Sequence, residues 1–96
     1  IRLLNKFNPN IKIIFTVSPV PQHATFLAEN ILTSAFKAKS ILRSVLSEII
    51  PTNKNCYYFP SYEMVMAENY NSFNADNRHI KRKKVSEIMS IIGKLL

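Results

Sequence analysis

The sequence predicts an α/β fold built on a parallel sheet, from the order and character of its apolar segments. Residues 11–17, I-K-I-I-F-T-V, are nearly continuous apolar residues rich in β-branched side chains, which is typical of a parallel strand covered on both faces. An aromatic run at residues 56–59 predicts a second strand, and a helical pattern follows each strand. Strand, helix, strand, helix in this order indicates parallel α/β units.

Proline ends both predicted strands. Pro19 and Pro21 follow the first strand and Pro60 follows the second, and a proline cannot donate a hydrogen bond to a sheet ladder. Ser18 and Ser61 are therefore expected near the carboxyl edge of the sheet, where open α/β sheets carry their active sites.

Helical patterns account for most of the remaining chain. Residues 2–7 are expected to be the tail of a helix, and residues 24–50 carry apolar side chains every three or four positions, which predicts an amphipathic helix. The first ten residues of that second stretch are equally compatible with a loop. Residues 61–66 continue as a short helix or extended turn, residues 69–77 are an asparagine-rich loop, and residues 81–96 predict the last helix.

Length and composition bound the architecture. At 96 residues the chain is one domain at most, and 47% hydrophobic residues are too many for a disordered segment. Two strands cannot form a free-standing parallel sheet, so we expect the N-terminal strands of the domain to lie outside this chain. No apolar run approaches the roughly 20 residues that span a bilayer, so no membrane span is expected, and a cytoplasmic location is assumed.

Few residues are available for metal or disulfide chemistry. The chain has one cysteine, Cys56, and two histidines, His23 and His79, so an internal disulfide is excluded and no zinc-ligand spacing occurs. We therefore expect no metal and no cofactor. Cys56 is expected to be a small buried hydrophobic residue, and His23 a surface or loop residue.

The net charge of +7 raises nucleic acid, an anionic membrane surface or an acidic substrate as possible partners. Four of the thirteen basic residues form the run at residues 81–84, and no aromatic residue alternates with this run as a nucleic-acid stacking platform requires. We favour a solvated basic face and expect no nucleic-acid partner. The alternative function is a non-catalytic α/β module that binds nucleic acid or an acidic partner through its C-terminal helix.

The sharpest local feature is Asp76-Asn77-Arg78-His79, in a loop just before the last helix. In a nucleophilic hydrolase the histidine takes the serine proton, and a carboxylate orients the ring and stabilises the imidazolium. Separation by three residues lets one turn present both side chains to the same cleft. On spacing alone, however, a helix cap by Asp76 or Asn77 with a solvated His79 is the preferred interpretation.

Context changes that preference. Four segments stand in order along the chain: T-V-S-P-V-P at residues 16–21, A-K-S-I-L-R at 38–43, Y-F-P-S-Y-E at 58–63 and D-N-R-H at 76–79. Together they resemble the later blocks of the GSCFA family, which is regarded as a branch of the SGNH, or GDSL-like, hydrolases. The resemblance covers about residues 11–92.

The resemblance implies a three-layer α/β/α sandwich in which a serine attacks an ester carbonyl, with no metal or cofactor. It implies that His79 is the general base and Asp76 its orienting partner, in an esterase or acyltransferase acting on an ester-bearing small molecule or a carbohydrate. The family's Gly-Ser-Cys-Phe-Ala block and recognisable oxyanion-hole blocks are absent from these residues. We therefore expect residues 1–96 to be the C-terminal portion of one such domain, inactive alone, with its oligomeric state open.

Four further residues are candidates for binding substrate. Ser18 precedes a proline and lacks a nucleophile elbow, so we expect it to line the cleft and not to attack substrate. Ser61 and Glu63 could contact substrate, but fixing their loop through neighbouring backbone amides is preferred. Arg78 either binds an anionic group or pairs with Glu63 or Glu68.

Overall fold

The computed structural model describes residues 1–68 and 71–96 and has the mixed α/β architecture that the sequence predicts. Its elements are, in chain order, helix α1 (Arg2–Phe7), strand β1 (Ile13–Phe15), helix α2 (Ile31–Ile49), a 3-10 helix (Ile50–Thr52), strand β2 (Cys56–Tyr58), helix α3 (Ser61–Met66) and helix α4 (Arg82–Leu95). The predicted asparagine-rich loop includes residues 69 and 70, which lie outside the described residues.

Strands β1 and β2 form a two-stranded parallel sheet, which confirms the predicted strand direction. Ile13 lies opposite Cys56, and Phe15 lies opposite Tyr58. The ladder continues one residue further, because the Phe59 N–H donates to the Phe15 carbonyl at 2.8 Å. Strand β1 is nevertheless shorter than the predicted strand of residues 11–17.

One face of this sheet is open. Ile14 and Tyr57, which lie opposite each other, are 41% and 48% exposed, whereas Cys56 is buried as predicted. Neighbouring residues of a strand point to opposite faces, so the described residues cover one face of the sheet and leave the other accessible. Coverage of β1 on its second face by further parts of the domain stays a prediction.

Helix α2 begins later than residue 24, which agrees with the loop interpretation of the first residues in that stretch. Asn30 is the N-cap, and its side-chain oxygen accepts a hydrogen bond from the Leu32 N–H at 2.8 Å. This bond satisfies one of the backbone donors that a helix start leaves unpaired. Pro51 lies in the 3-10 helix that follows Ile49, close to the predicted helix end.

The hydrophobic core lies between the end of β2, helix α3 and helix α4. Its buried residues include Phe59, Val65, Phe73 and Ile88, and Ile80 packs against them. Phe73 and Ile80 belong to the segment between α3 and α4, so the core holds both ends of the loop that contains Asp76 and His79. No helix in the described part of the chain is long and apolar enough to cross a membrane.

Candidate active site

The loop of residues 73–80 is closed by backbone hydrogen bonds at its base. Phe73 and Ile80 form an antiparallel bridge, and the Asn74 N–H donates to the His79 carbonyl at 2.8 Å. Phe73 is buried, and Ile80 packs against the same core. The loop therefore has a fixed base, although its tip is exposed.

Asp76 organises the tip of this loop through its backbone contacts. Its Oδ1 accepts hydrogen bonds from the N–H groups of Arg78 and His79, both at 3.0 Å. Asn77 adopts the left-handed conformation, with φ of 52°, which asparagine tolerates better than most residues. This tight turn brings the side chains of Asp76 and His79 together.

The second carboxylate oxygen of Asp76 contacts the histidine ring. Asp76 Oδ2 lies 2.5 Å from His79 Nδ1, and the two side chains are 48% and 61% exposed respectively. The hydrogen bond from the His79 ring, followed by those from the His79 and Arg78 backbone, lowers the pKa of Asp76 to about 2. Asp76 is therefore ionised at neutral pH.

The ionised carboxylate decides which ring nitrogen carries the proton. A carboxylate only accepts hydrogen bonds, so Nδ1 of His79 must donate, and the neutral ring carries its lone pair on Nε2. Nε2 has no hydrogen-bond partner among the described residues. An exposed, unprotonated Nε2 on a ring held by a carboxylate is the arrangement that a general base requires.

The competing interpretation, that Asp76 or Asn77 caps the last helix, is wrong. Helix α4 begins at Arg82, its N-cap is Lys81, and no side chain accepts a capping hydrogen bond there. The backbone bonds of Asp76 close its own loop and do not reach the helix.

Ser61 is buried and bonded on both sides within the protein. Its hydroxyl donates to the Val17 carbonyl at 3.2 Å and lies 2.5 Å from the Thr16 hydroxyl. Because Ser61 has only one hydroxyl hydrogen, Thr16 must donate to Ser61. This geometry favours a structural role for Ser61. Its hydrogen-bond partners, however, are Thr16 and Val17 just after β1, and not the neighbouring backbone amides that we expected. Substrate contact by Ser61 stays a prediction.

Glu63 is engaged by two side chains. The Tyr58 hydroxyl lies 2.9 and 2.8 Å from its two oxygens, and Arg43 Nε donates to Oε1 at 3.0 Å. The Arg43 guanidinium also lies over the Tyr58 ring, 4.1 Å from the centroid. Burial, followed by the hydrogen bond to Glu63, raises the pKa of Tyr58 to about 12. This cluster joins α2, β2 and α3, and a substrate role for Glu63 stays a prediction.

The predicted pairing of Arg78 with Glu63 or Glu68 is wrong. Arg43 pairs with Glu63, and Lys84 pairs with Glu68, so both carboxylates have other partners. The Nε of Arg78 is buried and has no hydrogen-bond partner among the described residues. Binding of an anionic group by Arg78 stays a prediction.

Ser18 is exposed, and the Val20 N–H donates to its hydroxyl oxygen at 3.3 Å. This contact fixes the turn after β1 and leaves the hydroxyl hydrogen of Ser18 available. Its predicted place in the cleft stays a prediction, because no described contact joins it to Asp76 or His79.

An open apolar pocket lies beside this loop. Its wall includes Pro19 and Pro21 from the segment after β1, Leu32 and Phe36 from α2, Met66 from α3, and Asn77. Asn77 is next to Asp76 in sequence, but neither Asp76 nor His79 lines the pocket. No local sequence pattern indicates this pocket, since its walls come from segments far apart along the chain.

The basic run at residues 81–84 does not present four free charges. Lys84 has a side chain only 11% exposed and pairs with Glu68 and with Glu87, the latter at 3.5 Å. The positive charge of Lys84 is therefore paired with carboxylates of the protein itself. No group of three or more His, Cys, Asp or Glu side chains placed to hold a metal ion occurs in residues 1–68 and 71–96.

Comparison with known proteins agrees with the order of motifs along the chain. The model of the GSCFA family matches residues 1–91 of the 96-residue chain, which confirms the predicted family. No curated protein and no solved structure gives a significant match.

Proposed function

The chain belongs to the GSCFA family, and from this premise we propose that it supplies the acid–base half of an SGNH-type serine esterase or acyltransferase. In this proposal residues 1–96 are the C-terminal portion of a three-layer α/β/α domain. The remaining strands and the nucleophilic serine then come from outside these residues. The open sheet face at Ile14 and Tyr57 supports this arrangement, because parallel sheets are normally covered on both faces.

The observation that carries the proposal is the contact between Asp76 Oδ2 and His79 Nδ1. It leaves the lone pair on Nε2, at the exposed tip of a loop whose base is fixed in the core. A free Nε2 on a ring that a carboxylate orients is what proton transfer from a serine requires.

The reaction follows from this arrangement. His79 Nε2 takes the proton from the serine hydroxyl as the serine oxygen bonds to the carbonyl carbon of the ester. The imidazolium then returns this proton to the leaving alcohol as the bond between that alcohol and the acyl carbon breaks. Water or a second alcohol attacks the acyl-serine in the same manner, and the free serine is restored. Asp76 remains ionised throughout and stabilises the imidazolium.

The test is hydrolysis of a short-chain ester by the intact protein that carries this chain. We expect His79→Ala to lower kcat by about a thousandfold or more, since proton transfer and nucleophile activation are lost together. His23→Ala is the matched control, because His23 is exposed and is the other histidine of the chain. Unchanged turnover in His79→Ala would remove the catalytic role.

A second set of variants separates this proposal from the basic-module alternative. Replacing Lys81, Arg82 and Lys83 by glutamine removes exposed positive charge and leaves the Asp76–His79 contact in place. We expect ester hydrolysis to be nearly unchanged. A module that binds nucleic acid would instead lose salt-dependent binding and show no esterase activity.

A further inference from the structure

The apolar pocket beside the loop of residues 73–80 contains one charged side chain, Lys39 on α2. Leu32 and Phe36, about two turns and one turn earlier on the same helix, line the pocket and are 62% and 44% exposed. Apolar side chains that are this exposed around a concave surface are available to a ligand.

Lys39 differs from the other lysine in the middle of α2. Lys37 pairs with Glu29 at 2.6 Å, whereas Lys39 has no hydrogen-bond or ion-pair partner among the described residues. Lys39 is also partly buried, and this burial lowers its pKa. A partly desolvated ammonium without a counter-ion is unfavourable, and an anion placed in the pocket would relieve that cost.

We propose that this pocket binds a small amphipathic anion, with its apolar part against Leu32, Phe36 and Met66 and its anionic group paired with the Lys39 ammonium. The occupant is a small molecule with one anionic group, because Lys39 is the single charged side chain among the described residues of the pocket wall. The chain's net charge of +7 attracts anions further. This inference goes beyond the proposed esterase function and uses neither Asp76 nor His79.

The test uses the intact protein that carries this chain, labelled with ¹⁵N and titrated with hexanoate, hexanol and acetate. Hexanoate is expected to shift the amide signals of Ala35, Lys39 and Asn77 saturably, since these residues line the pocket. Hexanol lacks the anionic group and acetate lacks the apolar chain, so both should bind more weakly than hexanoate. Hexanol binding as tightly as hexanoate would contradict the role of Lys39.

Two variants with the same charge change sharpen the test. Lys39→Met keeps an apolar stem and should weaken hexanoate binding about three- to tenfold, to the level of hexanol. Lys37→Met removes the same charge outside the pocket and should leave binding unchanged. Equal hexanoate affinity in Lys39→Met and Lys37→Met would overturn the proposal, as would self-association of the chain without any hexanoate-induced shift.

Anion binding in the pocket and ester hydrolysis can be tested independently. His79→Ala should retain hexanoate binding even where it abolishes ester hydrolysis, because His79 does not line the pocket. Loss of hexanoate binding in a folded His79→Ala variant would contradict the site described for the anion.

Discussion

The pair Asp76–His79 and the pair Thr16–Ser61 are both contacts of 2.5 Å between polar side chains, yet their surroundings differ. His79 is 61% exposed and keeps a ring nitrogen without a partner among the described residues. Ser61 is buried, and its only hydroxyl hydrogen is donated to the Val17 carbonyl. Exposure together with unused bonding capacity distinguishes a side chain available for chemistry from one that holds the fold together.

The largest expected effect concerns the base of the loop that carries the exposed pair. Phe73→Ala removes a buried ring from the core and should lower the free energy of unfolding by about 3–5 kcal/mol. Urea denaturation measures this loss. Phe26→Ala is the control, because Phe26 is fully exposed and its removal should change stability by less than about 0.5 kcal/mol. Equal effects of the two variants would show that the core does not hold the loop.

A smaller effect is expected at the buried pair. Ser61→Ala leaves the Thr16 hydroxyl and the Val17 carbonyl without their partner, which should cost about 1–3 kcal/mol of folding free energy. His79→Ala should change the same quantity by no more than about 0.5 kcal/mol, since its ring is largely exposed. A larger loss of unfolding free energy in His79→Ala than in Ser61→Ala, measured by urea denaturation, would contradict the structural role of the Thr16–Ser61 pair.

The smallest effect concerns the ionisation of Asp76. His79→Ala should raise the pKa of Asp76 from about 2 toward its ordinary value, because the His79 ring makes the largest contribution to the lowering. It should stop short of that value, since the backbone N–H groups still donate to Oδ1. Carboxyl ¹³C chemical shifts against pH measure the change, and an identical titration in the variant would contradict the contact.

The sign of the pH effect on folding follows from the same pKa. A carboxylate whose folded-state pKa is depressed contributes stability that is fully present above its unfolded value of 3.8. That contribution is lost as the pH falls from the unfolded value toward about 2. In His79→Ala the folded-state pKa of Asp76 should lie closer to its unfolded value, so stability should be lost over a smaller pH range.

Local patterns predicted the order of elements and the proximity of Asp76 and His79. The apolar run in β1 and the proline after β2 are visible in short windows, and a three-residue spacing is enough for a turn to bring two side chains together. Spacing alone favoured the wrong alternative, a helix cap, because an aspartate that accepts bonds from nearby N–H groups can close its own loop as well as start a helix. The order of the family blocks favoured the other interpretation, an acid–base pair.

Contacts between distant segments were beyond prediction from the sequence. Thr16 and Ser61 are 45 residues apart, and Arg43 and Glu63 are 20 residues apart, so no local pattern links them. The expected partner of Arg78 was wrong for this reason, since Arg43 reaches Glu63 from another helix. The pocket at Lys39 likewise depends on segments that only the fold brings together.

The most direct measurement is the ¹⁵N NMR spectrum of the histidine rings, recorded at a pH where His79 is neutral. His23 provides the reference, and Asp76→Asn provides the matched change of partner. We predict that wild-type His79 carries its proton on Nδ1 and its lone pair on Nε2, and that Asp76→Asn alters this distribution. A proton on Nε2 in the wild-type protein, or a His79 spectrum unaffected by Asp76→Asn, would contradict the role of this pair as the acid–base half of an esterase.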